Sequence, residues 1–376
     1  MKRNNTFFRS VSFIAISSLG GFLLTLTGLS LGWMIGTFLA AALLSFLRPS
    51  LLRSNAYQKG VPKYWLYIGQ CILGIELGQK INLSFLHIFK EYWMTIILML
   101  LLSIFFSLLA GFLLWKYSKT DMLTSFFGTA PGGLSAMPGI AEEVGANTAV
   151  VSIIQTMRVF LVILIIPISV SLWARNPVDH VTIPAQTVSP FELEKLQWTL
   201  VLVGIAYGGY HLGKYLKFPA PWLIGSMVAV AIVQSFGSLY IGHDMVSWWP
   251  HVVITLSQIF IAASIGSRFH KSMFIGLKQT IFVALLSTIG LIFSMIMCAI
   301  FVSKVTGIAL ITSVLAFAPG GIAEMTTTSV VLNADSTFVI VVQVLRIMIV
   351  CVILPPFFRL LNYWEHKKHL SSQPSA

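Results

Sequence analysis

Twelve apolar segments, each close to the ~20 residues needed to cross a ~30 Å hydrocarbon core, follow one another along the chain with short polar gaps. They lie approximately at 11–29, 31–47, 64–79, 92–115, 121–145 and 147–173, then at 198–213, 219–236, 248–267, 279–302, 307–331 and 336–358. Lipid cannot satisfy backbone amides, so a chain patterned this way is restricted to helices or a closed barrel. Runs of this length select helices. The composition agrees: 57% of the 376 residues are hydrophobic, 10% are charged, and mean hydropathy is +0.87. A net charge of +12 would point to nucleic acid in a soluble protein, but here Lys and Arg fall in the gaps between spans. That is the positive-inside pattern of a multi-pass inner-membrane protein. Lys2, Arg3 and Arg9 before an apolar run resemble a signal peptide, yet no small-residue cleavage site follows, so the segment reads as the first span.

The twelve segments divide into two halves related by an offset of 188 residues. Residues 129–167 match 317–355 at 12 of 39 positions without a gap. The matches include Pro131 with Pro319, Gly132 with Gly320, Gly133 with Gly321, Gln155 with Gln343, and Arg158 with Arg346. The same offset pairs Gln70 with Gln258 and Gly78 with Gly266, and a shift of one residue pairs Trp33 with Trp222 and Gly36 with Gly225. A duplication is the expected origin. The first repeat covers 1–174, and a linker at 175–197 contains Pro177, Pro184 and Pro190. The second repeat covers 198–361, and a polar tail covers 362–376.

The fifth segment of each half is interrupted by APGGLSAMPG (Ala130 to Gly139) and APGGIAEMTT (Ala318 to Thr327). Pro and Gly break a helix, and irregular backbone at membrane depth survives only inside protein or along a cavity. If each broken segment turns back instead of crossing, the two halves are inverted. Charge favours that arrangement: in the second half it puts Lys214, Lys217, Arg268, Lys271 and Lys278 in the cytoplasm and Lys304 alone outside. The expected fold class is therefore an all-α polytopic membrane protein. It has two homologous halves in inverted orientation, with about 10 crossing helices plus two broken or re-entrant Pro-Gly-Gly segments.

The breaks are the first place to look for a site, and the nearby charges sharpen it. Arg158 lies about ten residues into its span, ~15 Å deep at 1.5 Å per residue, where an uncompensated charge costs several kcal/mol. Gln155 and Gln343 precede Arg158 and Arg346 by three residues, on the same helix face. Each arginine either neutralises a carboxylate (Glu142, Glu143 or Glu324) or takes part directly in binding and ion coupling. Glu324, whose repeat mate is Ala136, is either a salt-bridge partner of Arg346 or a proton-carrying group beside a broken helix. Glu142 and Glu143 read as capping or solvated groups. Glu76, between Gly74 and Gly78, is an intramembrane carboxylate whose mate is Ser264.

Gly28, Gly32 and Gly36, and Gly209 with Gly213, have the spacing of close helix packing. Trp33, Trp222, Trp248 and Trp249 read as anchors or packing. Cys71, Cys298 and Cys351 sit in apolar runs without a CxxC pair, and only His366 and His369 have close helical spacing. No metal site and no cofactor is expected. The chain also lacks a Walker loop, a GxSxG elbow and an HExxH helix, so no enzyme activity is expected.

The duplicated APGG string, the Gln-x-x-Arg pair ahead of a Val and a Pro, and the earlier W(L/M)IG strings resemble the membrane proteins of the AbrB type, over nearly the whole chain. Such proteins have carried names of a transcriptional regulator and of an ammonia monooxygenase, but a soluble basic module and a ligand cluster for an oxygenase are both missing from the sequence. The resemblance implies a fold related to cation/proton antiporters and anion transporters, with broken helices of two inverted repeats at a central site. Carried over by motif, that site comprises Pro131, Gly132, Gly133, Pro319, Gly320, Gly321 and Glu324, with Gln155, Arg158, Gln343 and Arg346 beside them. The first half departs from the pattern, with Ser135 and Ala136 where the second has Ala323 and Glu324.

The expected function is a secondary transporter of a small anionic solute, coupled to protons. Free helix N-termini and two guanidinium groups at the centre would favour negative charge. The alternative is a membrane sensor or regulator that influences gene expression without transport. The expected partners are the bilayer and the solute, not nucleic acid, with a homo-oligomer left open.

Overall fold

The computed structural model describes residues 2–27, 31–47, 60–80, 84–131, 137, 141, 144–174, 193–216, 218, 220–241, 251–269, 277–350, 353 and 356. Among these, no residue is in a strand and the fold is all-helical. The first half contains α1 (Lys2–Thr25), α2 (Gly32–Leu47), α3 (Lys63–Lys80), α4 (Ser84–Tyr117), the short α5 (Met122–Thr129) and α6 (Thr148–Ala174). The second contains α7 (Leu193–Tyr215), α8 (Pro221–Ile241), α9 (His251–Gly266), α10 (Lys278–Thr306), the short α11 (Leu310–Phe317), α12 (Ile322–Val331) and α13 (Ser336–Val350). Helix α7 starts inside the interval read as linker; residues 175–192 lie outside the described ones, as do Gly28, Trp248, Trp249 and Cys351.

Burial is distributed as lipid requires. The outer faces of α4 and α10 present Leu101, Phe105, Phe282, Phe293 and Phe301, while Gln155, Gln343, Arg158 and Arg346 are enclosed. A soluble protein sorts these residue types the other way. By length and composition, four helical stretches can cross a membrane alone: Phe7–Thr25, Tyr92–Tyr117, Thr148–Trp173 and Lys278–Thr306. The shorter apolar helices, among them Gly32–Leu47 and Val252–Gly266, are packed mainly against other helices, so lipid dictates their composition less. Of the about ten crossing helices expected, four qualify by length and composition among the described residues.

Small residues bring the helices together. A Cβ on Gly20 of α1 would fall 2.5 Å from Ala40 Cβ on α2, and one on Gly209 of α7 would fall 2.5 Å from Ala229 Cβ on α8. Gly36 and Gly225 complete these two contacts, backbone on backbone, which is the close approach that their spacing predicts. Gly32 packs against Thr25, and Gly213 against Gly225.

The halves also exchange partners. Helix α3 packs on α8, with Gly74 against the Leu223 carbonyl and Gly78 against Val230; α9 packs on α2, with Gly266 against the Phe38 carbonyl and Ala41. Ser257 Oγ of α9 donates to the Gly69 carbonyl of α3 at 2.9 Å, tying the two together. Each half thus completes the other's core, and the breaks are reached from both.

Trp222 stacks on Tyr210 with ring centroids 3.8 Å apart and on Tyr67 at 5.9 Å. Trp33 lies against Phe22. Both tryptophans serve packing.

Candidate functional site

Each break is built by the same local rules. Helix α5 is opened by Asp121, whose Oδ2 accepts from Thr124 N at 2.9 Å. It closes at Ala130, ahead of Pro131, whose ring cannot continue the hydrogen-bond ladder. Helix α11 likewise closes at Ala318, ahead of Pro319. The chain re-enters the long helices through matching turns: Gly145 has φ +82° and Asn333 φ +51°. Both are residue types that tolerate the left-handed region. Asn147 and Asp335 then cap α6 and α13, with Val150 N to Asn147 Oδ1 at 3.2 Å and Phe338 N to Asp335 Oδ1 at 2.9 Å. Their own amides reach Thr124 and Thr312 of the short helices.

The intramembrane Gln and Arg close this frame. Gln155 Nε2 donates to the carbonyls of Phe127 and Ala130, both at 2.8 Å. Arg158 Nη1 donates to Thr129 at 2.7 Å and Ala130 at 2.9 Å, and Arg158 Nη2 donates to Gln155 Oε1 at 2.7 Å. In the second half Gln343 Nε2 donates to Leu315 at 2.8 Å and Ala318 at 3.1 Å. Arg346 Nη1 donates to Phe317 at 3.3 Å and Ala318 at 2.9 Å, and Nη2 bonds Gln343 Oε1.

These acceptors are the last carbonyls of α5 and α11, which have no partner within the helix. They also form its partially negative end. The charge of each arginine is therefore balanced by a helix C-terminus, and charge-assisted bonds to carbonyls stabilise by about 1.5–3 kcal/mol each. Among the described residues, no carboxylate acts on Arg158 or Arg346. Glu142 and Glu143 lie outside the described residues. One donor remains unused in each half, since among the described residues the buried Nε of Arg158 and of Arg346 has no hydrogen-bond partner.

Glu324 is 6% exposed and stands in the first turn of α12. Its carboxylate folds back over Gly321, where any Cβ would collide with it. The partially positive helix N-terminus is thus filled by the chain's own carboxylate and is not free. Glu324 interacts electrostatically with Arg268. Reading the sequence assigned Arg268 to a cytoplasmic gap; the fold makes it half-buried in the turn after α9. A signal was available, because Lys80 occupies the same place at the offset of 188, two residues after Gly78 as Arg268 is after Gly266.

The site therefore unites Pro131, Gln155, Arg158, Pro319, Gly320, Gly321, Glu324, Gln343 and Arg346 around the breaks. Gly320 is buried against Val162 of α6. Gly132 and Gly133 lie outside the described residues. Glu76 is half-buried on α3. Among the described residues, no three His, Cys, Asp or Glu groups come together as a metal site.

Comparison with known proteins agrees with this architecture along the length of the chain. Residues 33–362 match the family described as transition state regulatory protein AbrB. YhjN of Bacillus subtilis (strain 168) is 53% identical over 372 residues, covering 98% of this chain and 97% of that protein. A protein of Escherichia coli (strain K12), named as a proposed regulator AbrB, is 24% identical over 341 residues, covering 90% and 95%. With the match spanning the helices, both breaks and both Gln-Arg pairs, this chain belongs to the AbrB family of membrane proteins.

Proposed function

We propose that the protein is a multi-pass cell-membrane transporter that moves a small anionic solute together with protons, through the centre formed by the two broken helices. The observation that carries this reading is the pair of buried Nε–H groups on Arg158 and Arg346 that have no hydrogen-bond partner among the described residues. A charged donor left unpaired in a dry interior costs about 1–3 kcal/mol or more, and a bound anion, accepting from one or both, would remove that cost.

Two further features support it. Broken helices placed between repeats are the usual construction of transporter binding sites, and the exchange of α3 and α9 between halves suits inverted repeats. Cavities of about 290 and 300 Å³ with mixed polar and apolar walls occupy matching places in the two halves, one lined by Thr124 and Asn147, the other by Thr312 and Asp335. In an inverted arrangement they open on opposite faces. No enzyme activity is part of this reading.

The names carried by the family and by the Escherichia coli relative favour a second reading, a membrane sensor or regulator of gene expression. The two separate cleanly in proteoliposomes. Transport requires uptake of labelled carboxylates driven by a proton gradient, independent of sodium at constant pH and membrane potential. A strict sodium requirement, or ligand binding with no flux of any anion offered, defeats the proposal.

A further inference from the structure

Helix α12 begins at a place that holds a carboxylate, and the carboxylate belongs to the protein. Glu324 reaches back over Gly321, and only a residue without Cβ leaves room for it there. The opposite lip of the same break, Ala318, is held by Arg346, whose Nε is buried without a hydrogen-bond partner among the described residues. The turn carrying Arg268 is fixed in place: Ser45 Oγ donates to the Ser267 carbonyl at 2.8 Å, and Val61 N donates to Ser267 Oγ at 2.9 Å. The backbone that carries Arg268, which interacts electrostatically with Glu324, is thus held by contacts from the other half.

We propose that the N-terminus of α12, Gly321 and Arg268 form a carboxylate seat that Glu324 occupies in the resting protein, and that the transported anion takes this seat once Glu324 is protonated and withdraws. The inference rests on the anion-transport reading and specifies its coupling. Charged Glu324 and the anion compete for the same amides and the same guanidinium, so one proton enters for each anion seated. The repeat explains why a single seat is involved, because Ala136 and Lys80 stand where the second half has Glu324 and Arg268.

The elements packed around α12 carry several charges. Helix α3 brings Glu76, α6 brings Arg158, α13 brings Arg346, and the turn after α9 brings Arg268, which interacts with Tyr67 as well. Helix α11 has no ionisable residue. Cations dominate this set, which suits a seat for a negative group.

The test uses formate as probe on the purified full chain, read as thermal unfolding, since a ligand that binds only the folded state raises Tm by mass action. Glu324→Ala vacates the seat, so formate should raise its Tm saturably at neutral pH while leaving the wild type unmoved. Glu324→Ala/Arg268→Gln should lose that rise. The wild type supplies a second measurement if the variant does not fold: formate should stabilise it at mildly acidic pH and not at mildly alkaline pH. A Tm unmoved by formate in both Glu324→Ala and acidified wild type, or a rise that survives loss of Arg268, overturns the seat. Flux is read separately in wild-type vesicles: formate seating without transport of any carboxylate removes the transport reading and leaves the seat standing.

Discussion

Arg158 donates through Nη1 to the carbonyl of Ala130 at 2.9 Å, so a buried positive charge closes the end of a broken helix. Its repeat mate Arg346 makes the 2.9 Å bond to Ala318. The arginines are thus fixed by the backbone they stabilise, with Nη1 and Nη2 committed to structure and Nε left over. This double duty separates two kinds of mutant.

Arg158→Gln and Arg346→Gln each remove the charge and the paired carbonyl bonds, and should destabilise the fold by about 1–3 kcal/mol for each buried carbonyl left unsatisfied. Both should also lose affinity for the transported anion. Denaturation in detergent and uptake in vesicles measure the two effects, and wild-type affinity in both variants would rule out an anion site at the guanidinium groups.

Gln155 and Arg158 share one network, so their effects should not add. Gln155→Leu and Arg158→Gln should show a coupling of about 0.5–3 kcal/mol in a double-mutant cycle. The pair Gln343 and Arg346 should give a similar value, because its bonding frame is the same.

Glycines that look alike in the sequence should respond in opposite directions. Gly225→Ala places a methyl against the Gly209 carbonyl and should cost about 1–3 kcal/mol through overpacking. Gly204→Ala and Gly208→Ala meet nothing within 4 Å and should be neutral or stabilising, by up to about 1 kcal/mol, through helix propensity.

The orientation of the halves can be read from two lysines 188 residues apart. Lys116 at the end of α4 and Lys304 at the end of α10 are both exposed. As single cysteines in intact cells they should react with impermeant thiol reagents from opposite sides, Lys116→Cys from inside and Lys304→Cys from outside. Labelling from one side only would make the repeats parallel.

Glu324→Gln keeps the side-chain volume and removes the titrating group. It should abolish uptake driven by a proton gradient while retaining exchange of labelled anion for unlabelled anion across the membrane. Undiminished proton-driven uptake in this variant would remove Glu324 from the coupling step.

Much of this was legible before any coordinates, for a physical reason. Lipid forces each span to be apolar over its length, so helices, breaks and intramembrane Gln and Arg stand out as local departures from that rule, and the repeat shows as identities at one offset. What balances those charges is not local. A guanidinium can be satisfied by a carboxylate or by the open end of a helix, and only the return of α6 against α5, and of α13 against α11, decides for the carbonyls of Thr129, Ala130, Phe317 and Ala318. Arg268 is the sharper case: its sequence position reads as a loop charge, yet it interacts electrostatically with Glu324 from a turn that Ser45 and Val61, more than 200 residues away, hold in place. The sequence determined which residues are too polar for their surroundings; tertiary packing between the halves decided what each of them faces, because those partners lie on separate helices that only the folded bundle brings together.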